Sequence, residues 1–205
     1  MAVDSFRAYL DRLADAGDLA TFEAAVSWDL EASAITMLAN QRDGPIPAFH
    51  SIAESETDAV LVGDPYRGSR ERPWDRIAHS LGMVTDLDGA DYYAAVIDRL
   101  SSPREPHVVD QQAAACKEVV RTGSDVDLLS FPWPYIHQGD GGRYSNFQTL
   151  VAPAPDSEWG RWSSHRMMLH DDTQASLLLL AGEQVPNLYY YQYERRDEPM
   201  PVAAV

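Results

Sequence analysis

Residues 159–172 read WGRWSSHRMMLHDD, and the period of this stretch decides how the second half of the chain is read. Taken as a strand, with side chains alternating between faces, it places Trp162, Ser164, Arg166, Met168 and His170 together. Arg161, Ser163, His165, Met167 and Leu169 then share the other face. Two arginines and two histidines surround a pair of serines in a chain that is otherwise acidic. One reading is an edge strand with a solvated polar face. The other is an anion site, because hydroxyls and guanidinium groups donate to phosphate or carboxylate, and arginine can do so through two parallel bonds. A metal shared by His165 and His170 is disfavoured, since alternation sends them to opposite faces. Asp171 and Asp172 are ligands by residue type only. A triad of Ser163, His170 and Asp172 lacks the GxSxG elbow that would present its nucleophile.

Working outward, Tyr144–Ala152, Ser176–Ala181 and Asp127–Leu129 read as further strands, separated by the turn signals FPWP, HQGDGG and APAPDSEWG. Residues 106–205 therefore read as a mainly β module. Its last part is ambiguous. YYYQY (189–193) has strand propensity, whereas Pro186 followed by Asn187–Arg196 could open a helix, and Met200–Val205 reads as a strand. Upstream, Phe6, Leu10 and Leu13 recur at helical spacing behind Asp4 or Ser5 as a cap, with Gly17 as the stop. Asp29–Asn40, Pro73–Leu81 and Asp91–Leu100 read as helices, and Pro45–Ile52 and Ala59–Val62 as strands. Alternating helices and strands predict an α/β domain over residues 1–105, joined through the linker Ser101–Pro106.

The totals narrow the function classes. Of 205 residues, 45% are hydrophobic, which supports a packed core. Asp and Glu number 32 against 16 Lys and Arg, a net charge of -16. Such a surface repels nucleic-acid phosphates and anionic lipid, so neither is an expected partner. Cys116 is the only cysteine, which excludes an internal disulfide and suits a reducing, cytoplasmic setting. The opening MAVDSFRAYLDRL is charged and amphipathic, unlike a signal peptide. The longest purely apolar run, Leu177–Ala181, is too short to span a bilayer. No Walker A, dinucleotide or Cys-rich zinc pattern occurs.

Several pieces, in order, resemble the UbiD-type decarboxylases that use prenylated flavin mononucleotide, especially the ferulic and cinnamic acid decarboxylase branch. These are SFRAYLDRLADAGDL with WDLEASAI, then KEVVRTGSDVDLLSFPWPYIHQGDGGRY, WGRWSSHRMMLHD and MPVAAV. The resemblance implies an N-terminal α/β domain followed by a partial split β-barrel that holds the flavin, with Asn187–Arg196 helical. It puts the family's catalytic arginine on Arg166. The backbone that cradles the cofactor phosphate falls on Trp162, Ser163, Ser164 and His165. A metal-binding histidine falls near Gln184, with Glu183 beside it, and a metal-binding asparagine falls on Arg161. Arginine stays protonated and has no lone pair to offer, so neither the divalent metal nor the potassium of the family is expected with Arg161 in that place. The family's remaining acidic and metal-binding residues would lie beyond Val205. The expected role is therefore that of a short UbiD-like component, catalytic with a longer UbiD-like partner chain or else structural and regulatory. A half-built barrel would leave open sheet edges, so a homo- or hetero-oligomer is expected.

Overall fold

A computed structural model describes residues 3, 5–103, 105 and 107–205. The chain divides into two compact units. The first comprises the residues up to Ser27 together with Glu31–Val126, and the second Trp28–Leu30 together with Asp127–Val205. Asp4, the alternative first cap, and Arg104 and Pro106 of the linker lie outside the described residues.

In the first unit, helix α1 (Phe6–Asp15) begins at Ser5, whose hydroxyl accepts from the Ala8 N–H at 3.1 Å. It ends where Gly17 turns left-handed at φ 73°, a conformation that costs glycine little. Tyr9 and Leu13 face inward, and with Ile46 they form a core flanked by Leu10, Leu19 and Val62. Three short strands form the sheet. They are β1 (Leu19–Phe22), which the sequence reading did not anticipate, β2 (Ile46–Phe49) and β3 (Leu61–Val62). β1 runs parallel to β2, and β2 antiparallel to β3. β2 is buried along its whole length, as expected for the middle of the sheet. Gly63 lets the end of β3 approach closely, because a Cβ there would come within 2.8 Å of both Pro47 and Thr36. Arg76 on α3 (Asp75–Ser80) reaches inward, giving both carboxylate oxygens of Asp18 a 2.8 Å hydrogen bond and another to the Gly44 carbonyl.

Helix α2 spans Glu31–Gln41, shorter at its start than the expected Asp29–Asn40. Leu30 is left-handed at φ 65°, and Asp29 instead bridges Tyr135. Residues 28–30 are drawn into the second unit by backbone bonds, Leu30 N–H to Tyr135 O and Tyr135 N–H to Trp28 O. Helix α4 (Gly89–Leu100) is capped by Asp88, which accepts from the Asp91 N–H.

The second unit is an antiparallel sheet in the order β6-β5-β4-β7. Its centre is the hairpin of β4 (Tyr144–Pro153) and β5 (Gly160–Leu169), flanked by β6 (Ala175–Leu177) and β7 (Ala203–Ala204). One face of the hairpin carries Leu150 and Ala152 onto α5 (Gln184–Leu188), where Val185, Leu188 and Tyr193 complete a core. Two expectations are corrected. Asp127–Leu129 is not a strand: Leu128–Ser130 forms a 3-10 turn, because Asp127 caps it by accepting from the Leu129 N–H. The strand expected over Ser176–Ala181 stops at Leu177, before the turn at Gly182 (φ 96°). YYYQY is a π-helical turn continuing α5.

Candidate functional site

The alternation read from WGRWSSHRMMLHDD holds along β5. His165 and Leu169 are buried, while Trp162, Ser164 and Arg166 are exposed on the opposite face. The inner face builds a compact polar cluster. The Ser163 hydroxyl lies 2.6 Å from His165 Nε2, and His165 Nδ1 lies 3.1 Å from the Leu178 carbonyl. Glu183, immediately before α5, brings Oε2 to 3.6 Å from the same Nδ1. The imidazole is only 2% exposed. A carbonyl can only accept, so Nδ1 carries a proton. Directly across the hairpin from His165 stands Gln148. Both polar atoms of its amide are buried, and neither has a hydrogen-bond partner, which is costly unless a bound group or water satisfies them.

The outer face is different. The pairing of β4 with β5 slips between Ser145 and Gln148, a bulge that sets Asn146 and Phe147 opposite Arg166. Arg166 opens onto a hollow of about 400 Å³, with Tyr144, Asn146, Met168, Leu177 and Leu178 among its walls. His137 and Asp140 stand at the same hollow. There the Asp140 carboxylate accepts from the His137 backbone N–H at 2.9 Å.

Arg161 shares the inner face by position, yet its guanidinium lies 3.5 Å above the Trp159 ring. Gln184 opens α5. Thus Ser163, His165 and Glu183 converge, while Trp162, Ser164 and Arg166 face the other way. Beyond β5, the His170 N–H is bonded to the Gln174 carbonyl, and Asp171 accepts from the Thr173 N–H, which holds its carboxyl below the usual range. Among the described residues no three His, Cys, Asp or Glu side chains cluster as a metal site would require. No helix among them is long and apolar enough to cross a membrane. Sequence reasoning missed Gln148, Asn146 and the Leu178 carbonyl. Gln148 had a signal, a polar residue two places before Leu150 on the buried face. A backbone carbonyl leaves none.

Two family models match the chain in succession. The 3-octaprenyl-4-hydroxybenzoate carboxy-lyase N-terminal domain matches residues 10–100, and the Rift-related domain of the same enzymes matches residues 107–205. The chain belongs to the UbiD family. Among curated UbiD relatives, it is 32% identical over 206 residues to pyrrole-2-carboxylic acid decarboxylase of Pseudomonas aeruginosa, covering 97% of this chain. It is 29% identical over 189 residues to ferulic acid decarboxylase 1 of Saccharomyces cerevisiae, covering 88% of this chain. It spans 40% and 37% of the length of those two proteins. Vanillic acid decarboxylase of Sedimentibacter hydroxybenzoicus in closed form matches all of this chain and 43% of its own, with TM-score 0.89 at 22% identity. An evolved dimeric form of the UbiD-class enzyme HmfF from Pelotomaculum thermopropionicum, in complex with prFMN, gives TM-score 0.81 at 22% identity, over 98% of this chain and 44% of that one. The UbiD fold accounts for both halves, an α/β region followed by part of a split β-barrel.

Proposed function

We propose that this chain is a component of a prenylated-flavin-dependent decarboxylase acting on an aromatic or α,β-unsaturated carboxylic acid. The observation that supports it most is Arg166, set by the bulge at a hollow whose other walls include Met168, Leu177 and Leu178. A guanidinium beside apolar walls suits a small organic acid: the carboxylate takes parallel hydrogen bonds, and the hydrocarbon part packs on Met and Leu. Ser163 and the backbone from Trp162 to His165 would hold the flavin phosphate, bordered by Glu183 and Gln184, while the Ser164 side chain lies on the Arg166 face. The unpartnered Gln148 amide on the same face as Ser163 is consistent with a polar group binding there. A divalent ion does not fit Arg161, which is a permanent cation stacked on Trp159. No role is assigned to a metal.

When bound, the flavin supplies the electron sink for loss of carbon dioxide. Arg166 orients the leaving carboxylate. The partner in this proposal, a longer UbiD-like chain, would supply the group that returns a proton. A second reading is favoured by Arg161 alone: a non-catalytic UbiD-like subunit that stabilises or modulates a longer relative.

Co-purification from the native host, followed by mass spectrometry of the bound flavin, separates the two. The first reading expects one prenylated flavin per chain and decarboxylation by the assembly. In that assembly, Arg166→Ala lowers kcat/KM by about 100-fold, equivalent to about 2.7 kcal/mol. An assembly whose activity is unchanged by Arg166→Ala, and in which this chain carries no flavin, establishes the second.

A further inference from the structure

We propose that the outward side of α4 (Gly89–Leu100) is an interface, and that it docks on an apolar surface with basic margins on the longer UbiD-like chain. The identity of that partner rests on the proposed function; the surface itself does not.

Helix α4 is apolar on two sides. Tyr92, Ala95 and Val96 are half-buried, and the Tyr92 ring stacks on Trp74 at 5.2 Å, which ties that side to the first unit. Arg99 adds a 2.8 Å bond to the Leu81 carbonyl. On the opposite side Ala90, Tyr93, Ala94, Ile97 and Leu100 recur at helical spacing, and all five are exposed. Tyr93 is 68% exposed, Ile97 47% and Leu100 71%. A surface helix needs one apolar stripe, whereas a helix apolar on both sides belongs inside a larger body. Yet among the described residues α4 buries none of its side chains fully, while the two other helices of ten residues or more, α1 and α2, each bury at least one.

The total surface agrees. The chain exposes 13990 Å². A folded monomer of 22.8 kDa exposes about 9,600 Å², and two separate bodies of the same total mass about 11,500 Å². The surplus over the larger figure, about 2,500 Å², is the size of one partner's share of an obligate interface, roughly 1,000–2,500 Å². The chain therefore carries surface of the kind that association covers.

Charge decides between a second copy and a different chain. Asp91 and Asp98 flank the stripe along one edge, and Asp86 and Asp88 stand in the segment just before the helix. Arg99, the basic residue of α4, is committed to backbone carbonyls. Two copies meeting through this face would bring both sets of carboxylates together, between chains that each carry a net charge of -16. Like charges set against one another across an interface cost affinity, whereas Lys or Arg at the margins of a different chain would meet the same carboxylates favourably. Ala90 and Ala94 leave room for a helix to approach closely, with Tyr93, Ile97 and Leu100 as the anchors.

The test compares the assembly co-purified from the native host with the purified chain alone. Hydrogen exchange of the Tyr93–Leu100 amides should be about tenfold slower in the assembly. Ile97→Asp should weaken association by about 100-fold, and Asp91→Lys with Asp98→Lys by about tenfold, with the larger effect at low salt. Met37→Asp, at a 55% exposed position on α2, should leave association unchanged. All four positions are exposed, so the urea midpoints of the free variants should stay close to that of the parent chain. Unprotected α4 amides, an assembly indifferent to Ile97→Asp, tighter binding after the charge reversal, or the absence of a stoichiometric second polypeptide overturns the proposal. So does a dimer of the purified chain that Ile97→Asp turns into a monomer, since a second copy then covers the face. If Ile97→Asp dissociates an assembly that holds no flavin and does not decarboxylate, the proposed function falls and the docking surface stands. If the assembly decarboxylates with α4 unprotected, the proposed function stands and this surface falls.

Discussion

Arg161 shows how the meaning of one residue depends on its neighbours. By alternation it belongs with Ser163 and His165, yet its guanidinium rests on the Trp159 indole, where a cation gains from the ring face without entering the polar cluster. Tyr9 is the comparable residue in the first unit. Its single hydroxyl proton is shared between the Pro65 carbonyl, the nearer, and the Arg76 carbonyl, and burial, reinforced by Tyr66, pushes its ionisation well above the usual value of about 10. A raised folded value stabilises the protein below the unfolded value and withdraws that stability as pH climbs past it. Urea midpoints should therefore fall between about pH 10 and pH 12. Tyr9→Phe should flatten that fall while costing about 1 kcal/mol near neutral pH through the lost hydrogen bond. An equally steep fall in the variant would show that Tyr9 is not the group responsible.

At the scale of elements, α5 and its continuation decide how the inner face of the hairpin is covered. YYYQY as a strand would put Tyr189, Tyr191 and Tyr193 on one face. In the structure Tyr193 is 4% exposed and Tyr191 60%, which requires a helical turn. Pro186 sits in the first turn of α5, where its missing N–H costs nothing. Leu188→Ala should destabilise the chain by about 3 kcal/mol, whereas Tyr191→Ala should stay within about 0.5 kcal/mol. Chemical denaturation reads both, and comparable losses would mean that the strand reading was right. The same scale explains the hairpin. The alternation of WGRWSSHRMMLHDD was legible because a strand with one buried face must repeat every two residues. The bulge opposite Arg166 was not, since an extra residue in β4 leaves no mark on the pattern of β5.

For the molecule as a whole, the net charge of -16 acts against compactness. Screening should relieve it. Raising sodium chloride from about 0.02 M to about 0.5 M shortens the screening length from over 20 Å to about 4 Å, and Tm should rise by about 4 °C. An unchanged Tm would mean that the acidic groups are already balanced locally, as Asp18 is by Arg76. The two family domains follow each other along the chain, but Trp28–Leu30 belongs to the second compact unit. That exchange rests on backbone hydrogen bonds to Tyr135, and on Arg143 lying 4.1 Å over the Trp28 ring.

Sequence alone settled what depends on local periodicity and composition. It revealed the amphipathic α1 with a cap at Asp4 or Ser5, the buried run that became β2, the two faces of β5 and the acidic composition. Ordered motifs along nearly the whole chain also pointed to the UbiD family. Tertiary structure decided what depends on residues far apart in the chain. It brought the Leu178 carbonyl and Glu183 to His165, set Gln148 across from the ring, and made YYYQY helical against its own propensity. The physical reason is common to all three. Hydrogen-bond polarity and burial are properties of pairs that meet only after folding, whereas alternation and capping are complete within a few consecutive residues.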